Sequence, residues 1–284
     1  MYPKILVLIL STFYFSASIA DVKNNYINNF SEYLNDTLEK NFETVEVQLS
    51  SGTSNEVVGS ILVVKPLSDI NDEKNTLFTQ GSIFLSDDSR ETINLGIGKR
   101  KLVNDDTLLL GANLFYDHEL DYDHQRASIG IEAISSVGSF RANQYYGLSG
   151  WQSGLDSVKE KALNGNDVEF GAPLPYLPWA NFYLRSFDWE GASGAADLKG
   201  DEMSLEAKFS GFNIEVGKRS NDGTTEDNEF LRLTWTCCNN KQEKIGISDK
   251  AYNLTSVADQ RFVKVRRQNL IVKQKEMSLT VIGF

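Results

Sequence analysis

The chain has 284 residues, an ordinary share of apolar residues and a formal charge of −11 at neutral pH. No apolar run beyond the first twenty residues approaches the roughly 20 that a spanning helix needs, which excludes a helical membrane protein. A transmembrane barrel stays open, because its strands turn only half their residues to lipid; nucleic acid is not expected as a partner, since its phosphates call for a basic patch.

At the N-terminus, Lys4 precedes the apolar stretch Ile5 to Phe15, which is too short for a stable anchor, and then Ser18-Ile19-Ala20. This reads as a secretory signal over residues 1–20, cleaved between Ala20 and Asp21. Residues 21–42 follow, with Tyr26, Ile27, Phe30, Tyr33, Leu34 and Leu38 on one helical face and Ser31 and Asn35 on the other. That spacing predicts a short amphipathic helix.

From residue 43 the period changes to two. Val45, Val47 and Leu49 alternate with Glu46 and Gln48; Ala127, Ile129, Ile131 and Ala133 alternate with Arg126, Ser128, Gly130 and Glu132. Leu205 and Ala207 alternate with Glu206 and Lys208, Ile214 and Val216 with Glu215, and Leu231 and Leu233 with Arg232. Alternation means two faces in different solvents. Twelve strands are predicted, near 43–50, 59–66, 76–86, 91–102, 108–118, 125–135, 138–148, 166–173, 179–189, 203–210, 212–219 and 229–236. The run Ile61-Leu62-Val63-Val64 is continuously apolar, so its phase is open.

The joins sort by parity. Ser50–Val58, Glu119–His124, Ser149–Asp167, Glu190–Glu202 and Ser220–Asn228 are polar and mostly long, whereas Val103–Thr107, Ser136–Val137, Leu174–Pro178 and Gly211 are short. Leu67–Asn75 breaks the rule. Short turns at the periplasmic end and long loops outside are the habit of outer-membrane barrels. The expected fold is therefore all-β, a twelve-stranded antiparallel transmembrane barrel over residues 43–236, with the helix near its periplasmic mouth. Glu46, Arg126, Glu132, Arg141, Glu169, Glu206, Lys208, Glu215 and Arg232 are expected to face the lumen, because charges on lipid would be costly.

Features that mimic chemistry are weak. Asp117, His118, Glu119, Asp121, Asp123 and His124 crowd one region, read as a polar outer loop; hydrolysis would also need an oriented partner and an oxyanion donor, and neither is legible. Asp87-Asp88 and Asp105-Asp106 sit at turns, where Asp favours local backbone bonds. Cys237 and Cys238 are adjacent, which makes no disulfide framework. No catalytic site, metal or cofactor is expected.

Several stretches resemble one family. Ile93-Asn94-Leu95-Gly96-Ile97-Gly98 is followed by Phe115-Tyr116-Asp117-His118, then by His124-Gln125-Arg126 and Ile129-Gly130-Ile131-Glu132. Leu174-Pro175-Tyr176-Leu177-Pro178 and Leu231-Arg232-Leu233-Thr234-Trp235 agree with them. This order is similar to the translocator domain of the intimin/invasin family of inverse autotransporters. The resemblance implies that residues 237–275 cross the lumen to the cell surface; charges that lose bulk water need partners, so Lys264, Arg266 and Arg267 are expected near inward carboxylates such as Glu132 or Glu206. It implies that 276–284 is the start of a passenger domain, with the rest of the passenger absent. It implies outer-membrane lipid, the barrel-assembly machinery and periplasmic chaperones as partners; a host receptor is not expected without passenger domains. The competing reading is a passive outer-membrane pore.

Overall fold

The computed structural model describes residues 41–53, 57–86, 90–223, 226–237, 245–276 and 281–282. The expected signal segment, its Ala20/Asp21 cleavage point and the amphipathic helix lie outside the described residues. In chain order the strands are β1 (Thr44–Gly52), β2 (Val57–Pro66), β3 (Asn75–Ser86), β4 (Glu91–Val103), β5 (Leu108–Glu119), β6 (His124–Ser135), β7 (Gly138–Gly147), β8 (Gln152–Ser153), β9 (Lys159–Ala162), β10 (Gly165–Leu174), β11 (Leu177–Trp189), β12 (Leu198–Phe209), β13 (Phe212–Asn221), β14 (Asn228–Cys237), β15 (Lys273–Lys275) and β16 (Val281–Ile282). Two short 3-10 turns, Leu155–Ser157 and Ala258–Phe262, are the helical pieces among the described residues.

Twelve of these strands close a barrel in the order β1-β14-β13-β12-β11-β10-β7-β6-β5-β4-β3-β2. Every neighbouring pair is antiparallel, and β1 closes on β14 with Val47 opposite Trp235. The predicted strand count and positions therefore hold. The largest boundary difference is β12, which starts at Leu198 rather than near 203. Lys199 and Asp201 lie on its exposed face next to the loops, so the apolar alternation is absent there and the strand read as loop.

Closure leaves no unpaired edge in the barrel. It also sorts the side chains in a way no soluble protein tolerates. Leu95, Leu114, Ile131 and Phe170 are more than half exposed, while Arg100, Arg126, Asp117 and Glu169 are at most 1% exposed. An apolar band outside and charge inside fit a wall with lipid on one side. The unphased run in β2 also resolves: Leu62 and Val64 are buried, packing with Phe78 and Phe115, while Ile61 and Val63 are half-buried on the outward face, in register with Ile93 and Leu95.

Glycines make the buried face accommodate those rings. A Cβ at Gly96 would lie 2.3 Å from the Phe115 ring, and one at Gly98 would lie 2.3 Å from the ring of Phe78.

The loop predicted between the seventh and eighth barrel strands is not plain loop. It carries β8 and β9, which join β15 and β16 in a four-stranded sheet ordered β16-β15-β9-β8. Strands of two to four residues are too short to show a period, and β9 pairs with a segment more than a hundred residues later.

Gly96→Val should destabilise the barrel by about 1–3 kcal/mol through overpacking against Phe115. Gly150→Val, where an added carbon meets nothing within 4 Å, should be neutral. Urea unfolding of both variants in lipid vesicles measures the difference.

Candidate functional site

The segment after the barrel touches the barrel's short turns first. The Trp179 indole N–H donates to the Gly246 carbonyl at 3.0 Å. Ser248 N–H donates to Tyr176 O at 2.8 Å, and Val257 N–H to Asp106 O at 2.8 Å. Val257 then packs with Leu102, Leu109 and Ile134, and Phe262 and Val265 with Leu62, Val64, Phe78 and Phe115. The last contacts are with the long loops: Leu163 N–H donates to Val272 O at 3.0 Å, and β15 pairs antiparallel with β9.

Between those ends the segment meets charge on many strands. Lys264 pairs with Glu46 of β1 at 2.5 Å. Arg266 pairs with Glu169 of β10 at 2.9 Å and Glu215 of β13 at 3.2 Å, and its guanidinium lies 3.8 Å from the centre of the Tyr183 ring. Arg267 grips both carboxylate oxygens of Asp117 on β5, at 2.8 and 2.6 Å, and stands over Phe115. Arg126 of β6 holds the same carboxylate at 2.8 Å. Its two terminal nitrogens donate to the carbonyls of Leu270 and Gln268 at 3.0 and 2.7 Å. Arg100 does likewise from β4, donating to the carbonyls of Arg261 and Val263 while pairing with Glu132 at 2.6 Å. Carbonyls of an extended segment have no strand partner, so wall arginines satisfy them.

A second cluster joins the wall to β9 and β15. Arg90 pairs with Glu119 at 2.9 Å and with Glu160 at 2.8 Å. Lys273 also pairs with Glu119, and His124 lies 3.5 Å from Glu160. Ligand atoms of Glu119, His124 and Glu160 lie within 4.8 Å of one another, a geometry that could hold a metal ion. Both carboxylates already carry a cation, so a metal would have to displace Arg90 or Lys273 from a pocket whose charges balance. Burial pushes the Glu160 carboxyl up, but His124, Arg90 and Lys273 beside it outweigh that and hold it at about 2.

Of the nine charges expected to share one face, Glu46, Arg126, Glu132, Arg141, Glu169, Glu206 and Glu215 are buried. Lys208 and Arg232 are partly exposed, with 33% and 21% of their side chains accessible. The expected carboxylates for the basic segment need correction. Glu132 pairs with Arg100, whereas Glu206 accepts from Tyr183 at 2.9 Å and stands near enough to Arg266 to interact with it through space; the direct ion-pair partners are Glu46, Asp117, Glu169 and Glu215. The crowded acidic region is also corrected. Asp117, Glu119 and His124 are strand residues, fully or nearly fully buried, whereas Asp121 and Asp123 are exposed. Sequence reasoning missed Arg100, because Lys99 and Lys101 flank it and hide the period. It missed Arg219, which pairs with Glu202 at 2.5 Å; Glu202 fell before the predicted start of its strand.

The sequence matches the family described as inverse autotransporter, beta-domain, over residues 13–269. It is 35% identical over 106 residues to an attaching and effacing protein homolog of Escherichia coli (strain K12), covering 37% of this chain and 35% of that protein. It is 29% identical over 219 residues to the inverse autotransporter adhesin YeeJ of the same strain, covering 72% of this chain and 9% of that protein. The chain thus spans only about a third or less of these relatives. A membrane protein solved in work on in-meso crystallization shares the fold, with a TM-score of 0.71 at 23% identity, over 83% of this chain and 100% of that one.

Asp117→Ala leaves two buried guanidiniums facing each other. It should cost about 3–5 kcal/mol, seen as a lower temperature for loss of the compact gel band, while exposed Asp222→Ala should stay within about 0.5 kcal/mol. A carboxyl with a depressed pKa stabilises the fold above its ordinary value and stops doing so as pH falls through the depressed one. Hydrogen-exchange protection of β9 should therefore survive the ordinary carboxylate range near 4.5 and fade only as pH drops through about 2.

Proposed function

We propose that this chain, which belongs to the inverse autotransporter β-domain family, carries its own C-terminal segment through its barrel to the cell surface and plugs itself in doing so. The barrel itself is a non-enzymatic barrel of the bacterial outer membrane. In this reading the buried face is the lumen wall, with Glu46, Arg126, Glu132, Arg141, Glu169, Glu206, Lys208, Glu215 and Arg232 on it. Lys264, Arg266 and Arg267 are the guest's cations within it.

The observation that carries the reading is the spread of partners. Three nearly consecutive basic residues reach carboxylates on β1, β5, β10 and β13, strands spread around the closed wall. One segment reaches such separated strands from the inside. Length also suffices: an apolar band of about 25 Å takes roughly 8 extended residues at about 3.3 Å each. A barrel that must be delivered across an aqueous compartment implies a cleaved signal ending at Ala20, with Asp21 starting the mature chain, and use of periplasmic chaperones and the barrel-assembly machinery.

The segment's order of contacts gives it a direction, from the short turns at Val257 to the long loops at β15. Pairing of β15 with β9 then holds the emerged chain at the loop end. A passive pore is the second reading. The cavity of about 130 Å³ between residues 264–270 and the wall, lined by Ser51, Asn228 and Arg232, is bounded by the segment itself and so does not supply the open lumen which that reading requires.

Single-channel conductance in planar bilayers separates the two. The full chain should be closed or nearly so, and a chain lacking residues 239–284 should open a large stable pore. Equal large conductance in both would mean that the tail does not fill the lumen.

A further inference from the structure

We propose that Lys65, Lys99 and Lys101 form a docking site on the outside of the barrel for the phosphate headgroup of an anionic phospholipid. All three are exposed. Lys99 and Lys101 continue the exposed series Ile93, Leu95 and Ile97 on β4, so they stand on the face turned to lipid. Lys99 is opposite Leu77 and Ala112; Lys101 is opposite Asn75 and Leu110. Lys65 is opposite Thr79, which in turn faces Ile97. Lys99 and Lys101 are two residues apart on one strand, about 7 Å, and Lys65, two strands away and level with Ile97, is about 12 Å from Lys99 and about 17 Å from Lys101 along the backbone lattice.

Charge on a barrel's lipid face is costly at the membrane midplane and tolerable only at the headgroups. At the loop end, exposed charges come in both signs and pair with one another: Lys199 with Asp188 at 2.8 Å and Lys218 with Asp227 at 2.9 Å. At the turn end, the three lysines have no ion-pair partner among the described residues. Glu43, just before β1, makes no ion pair with Lys65, and Asp106 in the neighbouring turn is held by Lys74 at 2.5 Å. Acids are present at this end too, Asp69, Asp72, Glu73 and Asp105 among them, but they lie in the joins beyond the strand ends and none is ion-paired with the three lysines. A phosphate is the anion available at the border of a bilayer. Beside the lysines, exposed Ile97, Leu95 and Leu114 offer an apolar track for the acyl chains of the same molecule. The site goes beyond the translocator reading and stands whether or not the tail crosses the lumen.

The test uses the full chain in phosphatidylcholine bilayers with trace spin-labelled phosphatidylglycerol or phosphatidylcholine, reading the motionally restricted fraction. The native protein should prefer phosphatidylglycerol by about fivefold for each lysine its phosphate engages. The preference should shrink as salt shortens the screening length. The triple variant K65Q/K99Q/K101Q should lose it, and K199Q/K218Q should keep it. Lys101→Gln alone, the milder change, should reduce it in part should the triple variant lose its heat-modifiable band. Excess inorganic phosphate at constant ionic strength should leave the preference intact. Equal association of the two lipids with the native protein, an unchanged preference in the folded lysine variants, or full displacement by inorganic phosphate would each overturn the assignment.

Discussion

Charge withdrawn from water must find charge of the opposite sign. A closed twelve-stranded wall has little room inside, and its buried face carries Arg100, Arg126, Asp117, Glu132, Glu169 and Glu202. Desolvating any one of them alone would cost several kcal/mol. The wall answers part of this by itself, as when Arg219 meets Glu202 across β13 and β12. The rest is answered by the segment after the barrel. Asp117 takes Arg267 as well as Arg126, and Glu169 takes Arg266 as well as Arg141 and Arg185. Wall and segment therefore complete one network, which is why the segment has a defined path.

The same network explains the mixture of packing at the site. Arginines serve where both a carboxylate and a carbonyl must be reached, since the guanidinium has five donors in a fixed fork. Arg126 and Arg100 each use one edge for an acid and another for backbone carbonyls of the segment. Rings fill the remaining space. Phe78 and Phe115 lie over glycines of β4, and Phe262 and Val265 of the segment pack on them. The segment is thus held by apolar contact on one side of the wall and by ion pairs on others. That arrangement fixes its position without giving it strand partners until β15 meets β9.

Much of the fold was legible because a strand in a membrane wall has two solvents, and the period of two is written residue by residue. Ile129 and Ile131 against Arg126, Gly130 and Glu132 announce both faces of β6. Legibility failed where the period carried no contrast. Ile61 to Val64 is apolar throughout, Lys99 to Lys101 is charged throughout, and Lys199-Gly200-Asp201-Glu202 near the loops offers no apolar side chain on either face. The acidic crowd from Asp117 to His124 failed for another reason. It spans the end of one strand and the start of the next, and only pairing of Glu119 with His124 across the turn shows where loop begins.

The sequence by itself determined the strand count, the antiparallel order, the closed barrel and the sign of the charge that would be needed inside. Each of these follows from local alternation and from the lengths of joins. Only the tertiary structure decided which acid meets which base. Lys264 with Glu46, Arg266 with Glu169 and Glu215, and Arg267 with Asp117 are separated by 51 to 218 residues along the chain. Such pairings depend on how strands stagger around the closed wall and where the segment comes to rest. That stagger is a property of the whole circuit of hydrogen bonds, and no single stretch of residues contains it.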